Sequence, residues 1–320
     1  MGAGKVGQTL GRLANEAGYE IGEVICLSHK SAAAAVKFIG AGVPQSITKA
    51  RISAPELILI STPDDLVGEA AISVLHSIQA GSGSRPRSDS PHSKFGSRQP
   101  VVLHTSGALS SDVLLPLRAA GLSTGSCHPL QTFESPASAM RLIQQSFFCI
   151  EGDRRAVAMA SRLVKALGAK SFRIPTELKS LYHASAVLAS GGIVALLSIC
   201  LEAFSKLGID QTKAMAVLMP LVKGTVENVS DLGPVCALTG PIRRGDTSTV
   251  RANLEALKAA DPDWARIYAE LGKQSVRLVQ KLKEPARNLT AVSVVLDNEM
   301  SRPEGTTRPR PGRGRRRTAS

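Results

Sequence analysis

Three glycines at the start of the chain, Gly2, Gly4 and Gly7, constrain its fold more than any other feature. They have the spacing G-x-G-x-x-G, which in dinucleotide-binding folds follows a β-strand and begins a helix. Gly2 permits a tight turn, Gly4 lets the backbone approach a pyrophosphate, and Gly7 lets the helix pack against the sheet. With Lys5 and Val6, whose amides open the helix, they are the predicted phosphate-binding residues. A chance cluster among 28 glycines is the alternative interpretation.

Only Met1 precedes this motif, so the strand that should lead into it is missing. In a doubly wound sheet that strand is central, and its loss would leave two neighbouring strands with unpaired edges. Our hypothesis is a translation start placed too late. In-frame upstream codons for a short Val/Ile-rich run would support it, and an in-frame stop directly before Met1 would contradict it. If Met1 is the true start, we expect weak cofactor binding.

Short apolar runs alternate with helical patterns as far as Pro175, which is typical of a parallel α/β sheet. The predicted strands are Glu20–Leu27, Glu56–Thr62, Pro100–Gly107, Ser146–Gly152 and Ser171–Pro175. The predicted helices between them are Val6–Ala17, Ser31–Gly40, Asp64–Ile78 and Arg154–Leu167. The fold class is therefore α/β, with a Rossmann-type parallel sheet that lacks its first strand.

Long helices replace the alternating pattern after Pro175. The candidates are Glu177–Leu207, Gln211–Asn228, Thr249–Ala259 and Pro262–Lys283, with Thr247 or Ser248 as the N-cap of the third. This change predicts two domains, a nucleotide-binding domain over 1–175 and an all-α domain over 176–299.

Two low-complexity segments hold much of the net charge of +13. The segment 80–99 is rich in Gly, Ser, Pro and Arg, and the tail 300–320 carries seven arginines against one acid. Both are predicted to be disordered. The tail could make nonspecific contacts with polyanions. The aromatic content of 3% argues against a stacking surface for single-stranded nucleic acid.

The cysteines and the apolar segments bear on the cellular compartment. Five cysteines without paired spacing, and no apolar leader after Met1, favour reduced thiols in the cytoplasm. The run Ala184–Leu201 has 18 residues without a charge, at the lower limit for a membrane span. Its serines and glycines favour a buried helix of a soluble protein over a membrane helix, so no membrane contact is predicted.

The end of the second predicted strand indicates which cofactor would bind. A cofactor with a free ribose 2′-hydroxyl favours an acidic residue there. The sequence has Ser28, His29 and Lys30 instead, and hydroxyls with a cation suit a 2′-phosphate. NADP(H) is therefore favoured over NAD(H). An ordinary polar strand end is the alternative.

Small polar side chains also follow the next strands, where an open α/β sheet binds its ligands. Thr62 and Pro63 follow one strand, Thr105 and Ser106 another, and His128 precedes Pro129. Each alone is more often a turn, but together they favour a site. Thr62, Pro63 and Thr105 are predicted to flank the nicotinamide, and Ser106 and His128 to orient the substrate.

Two side chains near the domain boundary could supply a proton. Lys179 and His183 lie four residues apart, on one face of a helix. Either could protonate the oxygen of a carbonyl group that receives a hydride. A solvated lysine and a hydrogen-bonded core histidine are the alternatives. Further along, Arg244 could bind a substrate carboxylate or pair with Asp246.

Metal and serine-hydrolase chemistry find no support in the sequence. The cysteines lack C-x-x-C spacing, the histidines do not cluster, and no G-x-S-x-G motif occurs. No metal site is predicted.

Six motifs, in the order GAGKVG, TPDD, HTSGALSSDVLLPLRAAG, HPLQTF, YHASAVLAS and LTGPIRRGD, resemble a family of Rossmann-like proteins of largely undefined activity. The resemblance covers about residues 2–283 and excludes the insertion. It implies an NADP-binding domain, a helical C-terminal domain, a cleft between them with the nicotinamide at its base, and a homodimer through the helical domain. Related enzymes are pyrroline-5-carboxylate reductases, 6-phosphogluconate dehydrogenase-like enzymes and alternative ketopantoate reductases.

The resemblance also bears on single residues. Lys179 and His183 match a Lys-x-x-Tyr-His run of the family, and Ser190 lies at an expected substrate contact. Gly191 stands where the family pattern has Asn, which removes an amide. The first hypothesis is therefore an NADPH-dependent reductase of a small carbonyl or imine, with a 2-keto acid such as ketopantoate the most specific candidate. The alternative, motivated by Gly191, is an NADP(H)-binding regulator without turnover.

Overall fold

The structure is a computed structural model that describes residues 1–53, 55–81, 99–284 and 286–300. The chain divides into two compact units, Met1–Gly192 and the part from Ile193 onward. Most of the predicted insertion 80–99 lies outside the described residues, and so does the tail from 301 to the end. Only the two ends of the insertion are described: helix α3 extends to Gly81, and Gln99 leads into the next strand.

Seven strands form two sheets within the described part of the first unit. They are β1 (Glu23–Cys26), β2 (Val43–Ser46), β3 (Leu57–Ile60), β4 (Val101–His104), β5 (Ser123–Pro129), β6 (Phe147–Gly152) and β7 (Lys170–Arg173). One sheet has the order β1-β2, and the other β3-β4-β5-β6-β7. All pairs are parallel except β5 and β6, which are antiparallel. The predicted Rossmann-type parallel sheet is confirmed, with this one reversal of direction.

Twelve α-helices are found in the described residues. In the first unit they are α1 (Lys5–Glu16), α2 (His29–Ile39), α3 (Val67–Gly81), α4 (Leu115–Ala119), α5 (Pro136–Ile143) and α6 (Arg154–Ala166). Helix α7 (Lys179–Lys206) continues into the second unit, which holds α8 (Gln211–Ala237), α9 (Pro241–Arg244), α10 (Thr247–Ala260), α11 (Pro262–Val279) and α12 (Leu289–Met300).

Successive side chains along each strand of the larger sheet point to opposite faces, and helices cover both faces. Val101 and Leu103 of β4 pack with Leu10 and Leu13 of α1 and with residues of α6. Val102 points the other way and packs with Ile60 of β3 and residues of α3 and α4. Helices on both faces of a mostly parallel sheet are the doubly wound arrangement that the sequence predicts.

The two sheets are separated where the first strand of the fold would lie. Met1 and Gly2 occupy this place: the Gly2 amide donates to the Ile25 carbonyl at 2.8 Å, and the Ser61 amide donates to the Met1 carbonyl at 2.8 Å. The Met1 amino group donates to the Leu59 carbonyl at 2.6 Å. Burial lowers the pKa of this amino group to about 6. One or two residues thus bridge β1 and β3 where a whole strand would pair with both.

The second unit has its own core, built by α9 to α12. Val250 and Leu254 of α10 pack with Ala265 and Ala269 of α11 and with residues of α12. The carboxylate of Asp246 accepts from the Thr249 amide at 3.0 Å and is the N-cap of α10. The prediction of Thr247 or Ser248 as the N-cap is therefore wrong, because the acid one position earlier reaches the free amides of the first turn.

Helix α7 corrects a second expectation. In the described residues, the segment Thr176–Lys206 is the one helical stretch long and apolar enough to cross a membrane by length and composition. The prediction that Ala184–Leu201 is buried is wrong for the single chain, since none of its apolar stretch is enclosed. Leu188 is 73% exposed and Val194 is 67% exposed.

Candidate functional site

Three strand ends of the first unit meet at one edge of the larger sheet. Because β3, β4 and β5 run parallel, their carboxyl ends lie side by side, with Ile60 opposite His104 and His104 opposite Ser126. The segments that follow β3 and β4 carry the predicted residues Thr62, Thr105 and Ser106, and His128 lies near the end of β5 itself. The structure therefore brings these three groups of side chains to one edge, as the strand pattern predicts.

The glycine turn fits the roles given to its glycines. Gly2 has a φ of +81°, and a Cβ there would lie 2.6 Å from Thr62 Cγ2. A Cβ at Gly7 would lie 2.8 Å from the Gly2 carbonyl oxygen and 3.3 Å from Ser61 Cβ. These positions need glycine for the left-handed turn and for close packing. At Gly4 a Cβ would meet no atom within 4 Å, so the backbone there faces open space.

The amino end of α1 has unsatisfied amides. Gly4 is the N-cap residue, no side chain caps the helix, and its first turn has no acidic residue. Gly4 and Lys5 are exposed, and Val6 and Gly7 are half-buried. A helix end with free amides and a positive dipole attracts an anion. The geometry fits the phosphates of a dinucleotide.

The residues after β1 lie at the start of α2. Ser28 is the N-cap of α2: its hydroxyl accepts from the Ser31 amide at 3.1 Å. His29 and Lys30 form the first turn, and all three predicted 2′-phosphate residues are exposed. The amino end of α2, with the cationic Lys30 in its first turn, is thus open to solvent beside the end of β1.

Thr62, Pro63 and Thr105 occupy the ends of β3 and β4. The Thr105 amide donates to the Ile60 carbonyl at 3.0 Å, which extends the pairing of the two strands. Thr62 Oγ1 is buried and has no hydrogen-bond partner among the described residues. Since a buried hydroxyl without a partner is costly, Thr62 can supply a hydrogen bond to a bound group.

The turn after β4 is held by His104 and Ser106. His104 is fully buried; its Nδ1 accepts from the Ser106 amide at 3.2 Å, and its Nε2 lies 3.2 Å from the Ser110 carbonyl. A carbonyl partner requires the proton on Nε2. Burial, and then the nearby Lys179, lower the pKa of His104 to about 4. The Ser106 hydroxyl accepts from the Ala108 and Leu109 amides.

Lys179 lies in an enclosed polar group that we call the lysine cluster, formed by Lys179, Ser126, Glu151 and Thr176. The lysine is 1% exposed, and its Nζ donates to Ser126 Oγ at 2.6 Å. The Glu151 carboxylate, 2% exposed, accepts from Thr176 Oγ1 at 2.9 Å and from the Ser111 amide at 2.8 Å. Burial lowers the pKa of Lys179, while Cys149 and Glu151 oppose this.

His183 lies one turn later in a second group, the imidazole cluster, formed by Gly107, His128, Tyr182 and His183. His128 Nδ1 lies 2.7 Å from the Tyr182 hydroxyl. The two histidine rings are 6.2 Å apart and nearly perpendicular. Burial, followed by Lys179, lowers the pKa of His128 to about 3, so its ring is neutral. His183 Nδ1 is buried and has no partner among the described residues.

Ser190 and Arg244 do not belong to these clusters. Ser190 is exposed on α7, and Arg244 is the exposed last residue of α9 in the second unit. The alternative is that Arg244 pairs with Asp246. Ser248 and Thr249 compete with Arg244 there, because their hydroxyls donate hydrogen bonds to the Asp246 carboxylate. These bonds lower the pKa of Asp246 to about 2.

Sequence reasoning missed four residues of the site: Gly107, Ser126, Glu151 and Tyr182. Glu151 had a signal, since it is the one charged residue within the apolar strand FFCIEG. Tyr182 directly precedes His183 in the motif that carries the family resemblance. Gly107 and Ser126 had no signal in the sequence, because their contacts form only where the strand ends pack against α7. In the described residues no group of three His, Cys, Asp or Glu side chains could hold a metal ion.

Comparison with known proteins supports the fold prediction. Residues 146–275, less than half of the chain, match a family model described as a domain of unknown function, DUF2520. This stretch runs from β6 into α11 and includes both Lys179 and His183. No curated protein matches the chain.

Solved structures match over nearly the whole chain. Protein TM1727 from Thermotoga maritima has 23% identity and a TM-score of 0.67, with 87% of this chain and 96% of that chain covered. An imine reductase from Streptomyces aurantiacus has 15% identity and a TM-score of 0.58, with 94% and 98% covered. A pyrroline-5-carboxylate reductase from Coxiella burnetii has 12% identity and a TM-score of 0.52, with 93% and 96% covered. The chain therefore has the fold of Rossmann reductases with a helical C-terminal domain.

Proposed function

We propose that the chain is an NADPH-dependent reductase of a small carbonyl or imine, with 2-keto acids such as ketopantoate the most specific candidates. One observation carries the proposal: the amino end of α1 is uncapped and open on a glycine turn that admits no other side chain at Gly2 and Gly7. Two of the structural neighbours, an imine reductase and a pyrroline-5-carboxylate reductase, are reductases and support it.

The residues present fit a dinucleotide. The amides of Lys5, Val6 and Gly7 would bind the pyrophosphate, and Gly4, whose own amide donates to the Gly2 carbonyl at 2.8 Å, would let the backbone approach it. Ser28, His29 and Lys30 would face the 2′-phosphate, since three exposed polar groups at a helix amino end attract an anion and none of them is acidic. Thr62, with its unpartnered hydroxyl, would lie on the nicotinamide side with Pro63 and Thr105. When bound, the reduced nicotinamide supplies the hydride.

The protein must then supply a proton to the atom that gains negative charge. Lys179 and His183 are the two candidates, and their surroundings favour His183. Lys179 Nζ is enclosed and already donates to Ser126, whereas His183 Nδ1 has no partner in the described structure. Ser106, His128, Ser190 and Arg244 are the proposed substrate-orienting residues. Of these, His128 lies beside His183.

A soluble cytoplasmic homodimer completes the proposal. The five cysteines are free thiols, as expected in a reducing compartment. Helices α7 and α8 expose Leu188 and Val194, and Val217 and Leu221, at 54% or more. Large apolar side chains that are exposed together on one chain are typical of an interface. Sedimentation equilibrium should give twice the chain mass, and Leu188→Asp should give a monomer.

The cofactor site is tested by placing a carboxylate at the open helix end. Gly4 has a φ of −73° and room for a side chain, so Gly4→Asp can fold and should stabilise α1 by a few tenths of a kcal/mol. The same carboxylate would repel the phosphates, and calorimetric titration should show NADPH binding weakened ~100-fold. The matched control is Gly22→Asp, at another exposed glycine with free space. Equal binding by both variants would contradict the proposal, and tighter binding of NADH than NADPH would contradict its choice of cofactor.

A further inference from the structure

Two imidazole nitrogens converge above Gly107. A Cβ on Gly107 would lie 2.6 Å from His183 Nδ1 and 2.7 Å from His128 Nε2, and no other residue type leaves both rings in place. Gly107 itself is buried, the two histidines are half-buried, and His183 Nδ1 is an enclosed nitrogen without a partner in the described residues. The unpartnered His183 nitrogen therefore shares one point of approach with His128 Nε2.

The separation of the two nitrogens suits one oxygen atom. His128 Nε2 and His183 Nδ1 both lie close to the position of a Cβ on Gly107, so the two nitrogens are at most about 5.3 Å apart. Two hydrogen-bond donors that bind the two lone pairs of one carbonyl oxygen would be ~5 Å apart, which is compatible with this limit. We infer that the substrate is a carbonyl compound whose oxygen binds above Gly107, between His128 Nε2 and His183 Nδ1, with Tyr182 as the positioning residue of His128. This rests on the proposed reductase function.

Tyr182 determines which nitrogen of His128 carries the proton. Its hydroxyl contacts both His128 Nδ1 and the Cys149 thiol. Imidazole nitrogen is a stronger acceptor than a thiol sulfur, so the tyrosine donates to Nδ1 rather than to the thiol. Burial raises the pKa of Tyr182, which keeps its hydroxyl protonated and able to donate. His128 is then left with its hydrogen on Nε2, towards Gly107.

The two histidines divide the work at the oxygen. Neutral His128 donates a hydrogen bond and keeps its proton, because a neutral imidazole is a very weak acid. Protonated His183 breaks its Nδ1–H bond as the new O–H bond forms, and remains as a neutral ring with hydrogen on Nε2. The oxygen, which has gained the electron pair of the C=O π bond, is thereby neutralised.

A protonated imine would not bind well at this point. Its nitrogen carries a hydrogen and no lone pair, so it cannot accept from His128 Nε2–H. It is also a cation, and the protonated His183 ring that faces the same point would repel it. Both effects favour a carbonyl substrate.

The tautomer of His128 is measured on the protein without substrate. In ¹⁵N-histidine-labelled protein, long-range correlation spectra of the six histidines, assigned with single His→Asn variants, should show His128 with hydrogen on Nε2. Tyr182→Phe should give a mixture of tautomers. Tyr268→Phe, which removes a hydroxyl bonded to Asn253 in the second unit, should leave His128 unchanged. Hydrogen on Nδ1 in the unaltered protein would overturn the inference.

Substrate preference tests the oxygen site. With NADPH, kcat/KM for ketopantoate should exceed that for a cyclic imino acid of similar size by at least ~100-fold. Gly107→Ala should lower kcat/KM for ketopantoate ~100-fold and leave NADPH affinity unchanged, since the three atoms nearest to its Cβ belong to the two imidazoles. The control is Gly22→Ala, at an exposed glycine where a Cβ meets no atom within 4 Å.

The outcomes separate the two proposals. Preference for the imine, or an unaffected Gly107→Ala, would overturn the carbonyl assignment while the reductase stands. NADPH binding without turnover of either substrate would overturn the reductase and the substrate assignment together. In that case the His128 tautomer and its response to Tyr182→Phe would still support or refute the positioning role.

Discussion

Lys179 and His183 lie one turn apart on α7, yet their surroundings are opposite. Lys179 is 1% exposed and points into the lysine cluster, where its ammonium meets Ser126. His183 is half-buried in the imidazole cluster, and its Nδ1 is left without a partner in the described residues. Helical spacing predicts that the two side chains share a face, but the strand ends packed against that face give them different chemistry.

The difference in surroundings bears on the role proposed for each side chain. Burial lowers the pKa of His104 and of His128, and the charge of Lys179 lowers both further. His183 Nδ1, in contrast, has no partner among the described residues. We therefore expect Lys179 to act through the histidines and His183 to act on the substrate.

The largest effect is expected at His183. His183→Asn keeps a polar group near the Nδ1 position but removes the proton donor, so kcat with the best keto acid should fall ~100- to 1,000-fold. The free energy of unfolding should change little, because Nδ1 makes no hydrogen bond in the described structure. Steady-state kinetics and urea unfolding measure the two quantities. His76→Asn, on the exposed side of α3, is the matched control.

Acid should destabilise the turn after β4, which His104 and Ser106 hold. His104 has an ordinary pKa of 6.5 when unfolded and about 4 when folded, so only the unfolded state binds its proton between these values. Stability is therefore full above pH ~6.5 and is lost as the pH falls towards ~4, by ~3 kcal/mol from this one residue. His104→Gln can keep an acceptor and a donor in place without titrating. Urea unfolding against pH should be flatter in this variant, and an unchanged slope would show that His104 is not a neutral core residue.

A smaller loss is expected from Lys179→Met. The methionine keeps the volume, and Ser126 Oγ retains its bond to the Ser106 carbonyl, so the fold should persist. Without the nearby charge the pKa of His128 should rise from about 3, as seen by NMR titration, and kcat/KM should fall only ~10-fold. Lys37→Met is the exposed control. A loss equal to that of His183→Asn, with an unmoved pKa of His128, would make Lys179 the proton donor and reverse the comparison.

The smallest effect is expected at Gly191, two turns beyond His183. Gly191→Asn restores the residue type of the family pattern at an exposed position where a Cβ meets only Val187 Cγ1 at 3.8 Å. Helix propensity should raise the free energy of unfolding by at most ~0.5 kcal/mol. If the clusters before this position suffice for turnover, kcat should change less than twofold. Turnover by Gly191→Asn together with none by the natural chain would favour the non-catalytic regulator as the function of the natural chain.

Much of the first unit could be predicted because its signals are local. The glycine spacing located the start of α1, and apolar runs ending in Thr62 and Thr105 located β3 and β4. Strand β2 was missed because VPQS has no apolar run. The antiparallel pairing of β5 with β6 was missed because an apolar period defines a strand but not its direction.

The site was predictable only in part, since its contacts join residues distant in sequence. His128 and Tyr182, 54 positions apart, meet through a hydrogen bond that no local pattern encodes. The exposure of α7 was also beyond the sequence, because an apolar helix has the same pattern whether it faces a core, a lipid or a second chain.

The measurement that tests the account most directly is the consumption of NADPH by the full chain in the presence of ketopantoate, followed by the absorbance of the reduced nicotinamide. We predict saturable turnover that is lost in His183→Asn and in Gly4→Asp and retained in Lys179→Met at a reduced rate. Absence of saturable NADPH binding, or turnover that survives His183→Asn, would contradict it.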